Sequence, residues 1–277
     1  MVNDTSTPYY GPDEDTATIF QEHVFLASDI IAGFGYGIQL VLYMACVRYL
    51  WSQRHMRRHA LFLLAYTTVV FCVQTVFVGA QALAVQRVYI DNRNYRGGPW
   101  VYFLSSETNI FTQATLIEVN LMSDALVLWR CWVIWQAAAR GRWMACLVIS
   151  VPFLMLIAFF ATGMLWLLRS SRSILTISAT LPRAYLLSYY AISLSFNIVL
   201  TLLIGRLLQY RASIMESLPS AHARHYLSIA TVLFESAALY SVFAVCFLVA
   251  YAVNNGIALV LFDLAQVPQQ ISAYLII

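Results

Sequence analysis

Ala60 to Val85 reads ALFLLAYTTVVFCVQTVFVGAQALAV, 26 residues without a charged side chain. Wound as an α-helix at 1.5 Å per residue it is about 39 Å long, more than the roughly 30 Å of a bilayer hydrocarbon core. Six further apolar stretches flank it, at 24–50, 106–135, 143–168, 184–208, 226–253 and 257–277. Each is long enough to span. In lipid the backbone must satisfy its own hydrogen bonds, so such segments are helices. The alternation of a lipid-facing β-barrel is absent.

The whole chain agrees with this reading. Of its 277 residues 61% are hydrophobic and 10% charged, with a mean hydropathy of +0.72. A soluble chain is about 45–50% apolar and about 25% charged. The expected fold class is therefore all-α: a polytopic membrane protein, a seven-transmembrane-helix bundle at 24–277 preceded by an acidic extracytosolic tail at 1–23. It is integral to the plasma membrane or an endomembrane, with membrane lipid as its first partner. The 16 basic residues are thinly spread between apolar runs, which excludes a nucleic-acid binder. The first 23 residues hold five acidic and no basic residues, unlike a signal peptide.

Arginine placement sets the orientation. Arg54, Arg57 and Arg58, then Arg140 and Arg142, then Arg211 and Arg224 fall in alternate connections, 51–59, 136–142 and 209–225. The positive-inside rule makes that side cytosolic. The acidic N-terminus, with its Asn3-Asp4-Thr5 sequon, then lies outside and the C-terminus inside. Arg87, Arg93, Arg96, Arg169, Arg172 and Arg183 fall on the outer side and weaken the bias. Pro182 suits the first turn of span five, and Pro152 and Pro268 are expected to kink spans four and seven. Gly33 and Gly37 form a small-xxx-small pair in span one. Packing within the bundle is its expected use, and dimerisation its second. The five cysteines, Cys46, Cys72, Cys131, Cys146 and Cys246, read as small buried apolar residues.

Ionisable groups at membrane depth face a bundle interior or a cavity. Glu118 and Glu235 lie most clearly within their spans. Asn120, Asp124, Asn197 and Asp263 complete the candidate polar core, while Asp29 and Glu107 lie near the outer surface. Asn120 and Asp124, four residues apart, share a face of span three, and Glu107 and Glu118 share another. Two readings stay open for Glu118 and Glu235: a lined cavity, or hydrogen bonds that fix helix packing. Leu233, Phe234, Ala237, Ala238 and Leu239 give Glu235 no charge partner, so it is expected to bond to Glu118 or Asn120. Arg130 and Arg224 are candidate cytosolic switch residues. Aromatic neighbours of Arg130 in Trp129–Trp135 also suit a helix end at headgroup level. His55, His59, His222 and His225 can be drawn as a zinc site, but nearby arginines repel a cation and no metal is expected.

These residues sort the functional classes. All 16 basic residues are arginine. Retinal attaches to a lysine amine, so covalent retinal is excluded and no cofactor is implied. No Asp-x-x-Asp cluster in a span or cytosolic connection offers magnesium to a diphosphate substrate. Only span three carries part of the polar stripe a channel needs. Two functions remain. One is a receptor-like bundle that binds a small, largely apolar ligand and signals to a cytosolic protein. The other is a membrane-embedded isomerase or cyclase using Glu118 and Glu235 as acid and base.

Ser123-Asp124, the Trp129–Trp135 run, Glu235-Ser236-Ala237-Ala238-Leu239-Tyr240-Ser241 and Pro268-Gln269 together resemble a large group of seven-span membrane proteins of mushroom-forming fungi. The likeness runs from span one onward and implies receptor-like topology. Such proteins usually continue past span seven into a polar cytosolic tail, whereas this sequence ends Ile-Ser-Ala-Tyr-Leu-Ile-Ile. The likeness to the large animal-type receptors is weaker: their outer disulfide, the Asp-Arg-Tyr of span three and the Asn-Pro-x-x-Tyr of span seven are missing.

Overall fold

The computed structural model describes residues 14–53, 58–96, 98–138, 142–173, 180–215, 235, 238–253 and 255–275. Among them there is no strand. The α-helices are α1 (Thr16–Gln53), α2 (Arg58–Gln86), α3 (Pro99–Ser105), α4 (Glu107–Ala138), α5 (Arg142–Ser173), α6 (Thr180–Met215), α7 (Ala238–Ala252) and α8 (Ala258–Leu275). A π-helical turn, Arg87–Asp91, extends α2, closed where the Asn92 amide donates to the Arg87 carbonyl at 3.0 Å. Pro182 lies in the first turn of α6. Pro152 and Pro268 sit inside the continuous helices α5 and α8.

Four helical stretches among the described residues are long and apolar enough to cross a membrane: Thr16–Ser52, Ala60–Asp91, Cys146–Ser170 and Ala184–Arg206. The sequence leads one to expect seven. The shortfall has a physical source. α4 and α8 carry acids and amides that dilute their apolar character, and α7 is short as described.

α1 starts at Thr16, inside the segment 1–23 expected to be an acidic tail. Asp15 opens it, its carbonyl accepting from the Thr18 and Ile19 amides at 3.0 Å. The added turns have something to dock on. Phe25 packs among Trp100 and Phe103 of α3 and Tyr89, with the Phe103 ring centroid 4.8 Å away. Gly98 adopts a φ of 92° before α3, and a Cβ there would run into the Glu14 carboxylate. Burial in this cap holds the Glu14 carboxyl above its usual range.

The long helices close a ring. α1 packs on α2, α2 on α4, α4 on α5 and α5 on α6. α6 meets α7 through Tyr190 on Phe247, α7 meets α8 through Phe247 on Phe262, and α8 returns to α1. α4 also touches α6 and α8, which makes it the central helix. Along α2 the buried side chains from Thr67 onward are Thr67, Val70, Gln74, Phe77, Gln81, Ala84 and, in the π turn, Val88, with Ala60 a heptad earlier and Ala80 beside Gln81. Alternating steps of three and four make a 3.5-residue seam, which favours shallow, left-handed packing.

The polarity is inverted relative to a soluble bundle. Phe34 is 74% exposed and Leu147 66%, while Gln39, Gln74, Gln81, Asn120, Asp124, Asp263, Gln266, Gln269 and Gln270 are buried. Hydrocarbon outside and hydrogen bonds inside are what a bilayer rewards.

Two sequence expectations are corrected here. Gly33 and Gly37 do not pack within the bundle: both are exposed, and a Cβ at either would meet nothing within 4 Å. Their neighbour Gly35 makes the close approach, with the Val267 side chain of α8 where its Cβ would go. Gly33 and Gly37 are each two residues from Gly35, about 160° around the helix, which carries them from the seam to the outside. Of the cysteines only Cys131 is buried. Cys72, Cys146 and Cys246 are exposed, and none of the five is in a disulfide. A small apolar side chain suits a lipid-facing surface as well as a core.

Candidate functional site

The candidate site is the polar interior around α4. Leu116, Ile117, Val119, Asn120, Ser123, Asp124, Val127 and Cys131 are all buried, so this helix is enclosed on most sides. Asp124, only 1% exposed, accepts a hydrogen bond at its Oδ1 from Gln269 Nε2 of α8 at 2.8 Å. The Asn197 side chain of α6 lies against the same carboxyl and donates to the Ser193 carbonyl at 3.1 Å. Asn120, one turn earlier, donates from Nδ2 to Tyr189 OH of α6 at 3.2 Å. Thus Asn120, Asp124 and Asn197 of the expected polar core are brought together.

A second buried acid stands apart. Asp263, two turns before Gln269 and Gln270 on α8, faces Ser28 of α1 and Gln81 of α2. Gln266, between Asp263 and Gln269 on α8, donates to Tyr190 OH at 2.8 Å, and Ser193 and Tyr240 share a hydrogen bond of 2.8 Å. Gln39 Nε2 donates to Gln270 Oε1, tying α1 to α8. Tyr66 OH of α2 reaches the Met122 carbonyl of α4 at 2.7 Å.

Aromatic rings fill the space between these bonds. Tyr189 stacks on Phe159 of α5 with ring centroids 4.3 Å apart and meets Tyr190 edge-on at 5.0 Å. Tyr190 packs edge-on against Phe247 of α7 and Phe262 of α8. A Cβ on Gly163 of α5 would come to 3.0 Å of the Tyr189 ring, so this glycine seats the tyrosine.

Several polar atoms of this interior find no partner: Asp124 Oδ2, Ser123 Oγ, Asn120 Oδ1 and Gln266 Oε1, with Gln39, Gln74 and Gln81 Oε1 farther out. Buried groups are normally paired, so a run of unpaired ones calls for an explanation.

The two acids favoured by their depth in the sequence stand elsewhere. Glu118 is exposed, on the side of α4 that also exposes Phe111, and Glu235 is exposed as well. The bond expected from Glu235 to Glu118 or Asn120 is not seen among the described residues: Asn120 Oδ1 accepts from no partner, and its Nδ2 donates to Tyr189. The reason is rotational: Glu118 lies about 120° around α4 from Asp124, so when α4 buries the Asp124 face it turns Glu118 outward. Glu107 and Arg130 fall in α4, but their side chains, like that of His59, lie outside the described ones, as do Arg224, His55, His222 and His225 altogether.

Six glutamines enter the interior that charge alone did not single out: Gln39, Gln74, Gln81, Gln266, Gln269 and Gln270. Their signal was positional. Gln74 and Gln81 are seven apart on one seam, and Asp263, Gln266 and Gln269 or Gln270 follow at helical spacing on one face. Tyr189, Tyr190 and Tyr240 carry no such signal, because a tyrosine in a span reads equally well as an interfacial anchor.

No protein-family model matches the chain, and no curated protein or solved structure matches it at a significant level.

Proposed function

We propose that α4, α7 and α8 cross the membrane together with the four apolar helices, forming a seven-span bundle with its N-terminus outside. In this bundle the protein acts as a receptor-like element that holds a small, largely apolar ligand between α4, α6, α7 and α8. The observation that carries this reading is the make-up of that interior. Aromatic rings from three helices surround amides whose second polar atom is unpaired, Asn120 Oδ1 and Gln266 Oε1. Such a surface takes an apolar body and offers acceptors to one or two polar groups on it.

The likeness of Ser123-Asp124, Glu235–Ser241 and Pro268-Gln269 to the fungal seven-span group supports the same topology. A ligand acts only through its different affinity for two bundle states. Arg130 and Arg224 are the basic residues proposed to pass the difference to a cytosolic partner. The enzyme alternative has less support. Glu118 and Glu235 are both exposed, and an acid/base pair works best in a site that excludes water.

The test is extraction of the purified protein and mass spectrometry of what it retains. Wild type should hold a lipophilic molecule that Asn120→Leu and Gln266→Leu lose, and spin labels at Gln136 and Arg206 should change separation when it is restored. Retention unaffected by both variants, with an unchanged separation, would overturn the proposal.

A further inference from the structure

Beside the aromatic interior, on α4 itself, lies a set of oxygens with a different requirement. Asn120, Ser123 and Asp124 occupy an arc of about 100° on the helix. Asp124 Oδ2, Ser123 Oγ and Asn120 Oδ1 are buried and without partners. Asp124 is fixed from the other side by Gln269, with Asn197 against it, while Tyr66, Tyr189 and Tyr240 stand near enough to sense its charge. None of these neighbours is a cation. Every arginine and histidine side chain among the described ones is exposed: Arg48, Arg87, Arg93, Arg96, Arg169, Arg206 and His23.

A buried carboxylate with no basic partner is costly unless something positive accompanies it. Rotating the Asn120 amide could satisfy its oxygen from Tyr189, but the Asp124 and Ser123 oxygens would remain. We propose that Asp124, with Ser123 and the side-chain oxygen of Asn120, forms a binding site for a small monovalent cation, sodium or potassium. Hard cations select oxygen ligands. The charge count selects a monovalent one: a single carboxylate among neutral oxygens balances one positive charge, and a divalent ion would leave one uncompensated. Asp263 is six residues from Gln269 along α8, about 9 Å, and belongs to its own cluster. The Asp124 and Ser123 oxygens carry the site by themselves; Asn120 Oδ1, which the proposed organic ligand also uses, is the one oxygen the two readings share.

The experiment uses the purified full chain at fixed pH and ionic strength, with sodium or potassium chloride replacing N-methylglucamine chloride. Thermal unfolding and equilibrium binding of radiolabelled sodium are both read. A bound ion raises the unfolding midpoint with the logarithm of its concentration above the dissociation constant. Wild type should show that rise and bind about one ion, with the sodium and potassium arms giving the selectivity. Asp124→Asn retains the acceptor for Gln269, folds, and should lose the ion dependence. Ser123→Ala should weaken binding about tenfold, the loss of one oxygen ligand. A flat midpoint and no bound sodium in wild type would mean that the carboxyl is neutralised by a proton, and the proposal would fail. It would fail equally if Asp124→Asn and Ser123→Ala both responded as wild type does, placing the ion elsewhere. Should Asp124→Asn not fold, radiolabel binding to Ser123→Ala decides.

Discussion

Gly35, Gly33 and Gly37 show how much a two-residue step along a helix matters. Leucine at Gly35 must displace Val267 of α8, a partly buried residue of the ring contact between α1 and α8. Overpacking of this kind costs about 1–3 kcal/mol. Gly35→Leu is therefore expected to lower the thermal unfolding midpoint in detergent. Gly33→Leu and Gly37→Leu are expected to leave it unchanged, because both positions face open space. If either mattered only to a dimer, native electrophoresis would show the dimer lost with the midpoint intact. Gln269 makes a second point at this scale. Gln269→Leu strands Asp124 Oδ1, which should cost about 1–3 kcal/mol. Adding Asp124→Leu should recover part of that loss, since an apolar pair leaves nothing unpaired. A double-mutant cycle by denaturant unfolding measures the difference.

At the scale of elements, the contact between α4 and α6 rests on Tyr189, which combines a stack on Phe159 with the bond from Asn120. The two contributions separate by substitution. Tyr189→Phe keeps the ring and removes the hydroxyl, for an expected cost of about 0.5–1.5 kcal/mol. Tyr189→Ala empties a wholly buried site and should cost about 3–5 kcal/mol. Equal losses would mean that the ring contributes nothing to holding α5 and α6 against α4. The Phe25 cap is a second contact between elements. Phe25→Ala should release α3 and α1 from each other, seen as faster amide exchange in 99–105 with less change in α4.

For the whole molecule the sharpest expectation is sidedness. Ser52 at the end of α1 and Asn94 after the π turn are both exposed, and α2 runs between them. If α2 crosses the membrane, cysteines placed at these positions in a cysteine-free background label from opposite sides. The proposed orientation puts Ser52 in the cytosol. Labelling of residue 52 from outside intact cells would reverse the proposed orientation, and labelling of both from one side would remove α2 as a span.

The sequence by itself determined the medium and the secondary structure. A chain this apolar, cut into runs such as Ala60–Val85, has to be helical in lipid, because each unpaired backbone group there costs several kcal/mol. It also pointed to Asn120, Asp124 and Asn197, whose polarity is conspicuous in an apolar span. What it left open was rotation. Helices that are apolar nearly all the way round carry almost no amphipathic signal, so nothing local says which side of α4 turns inward. The central position of α4, held by α2, α5, α6 and α8, buries Asp124 and exposes Glu118, and the same kind of constraint seats Gly35 rather than Gly33 or Gly37. Glutamines and tyrosines became interior residues only once their partners on other helices were in place, because a neutral hydrogen-bonding group is written into a sequence without its partner.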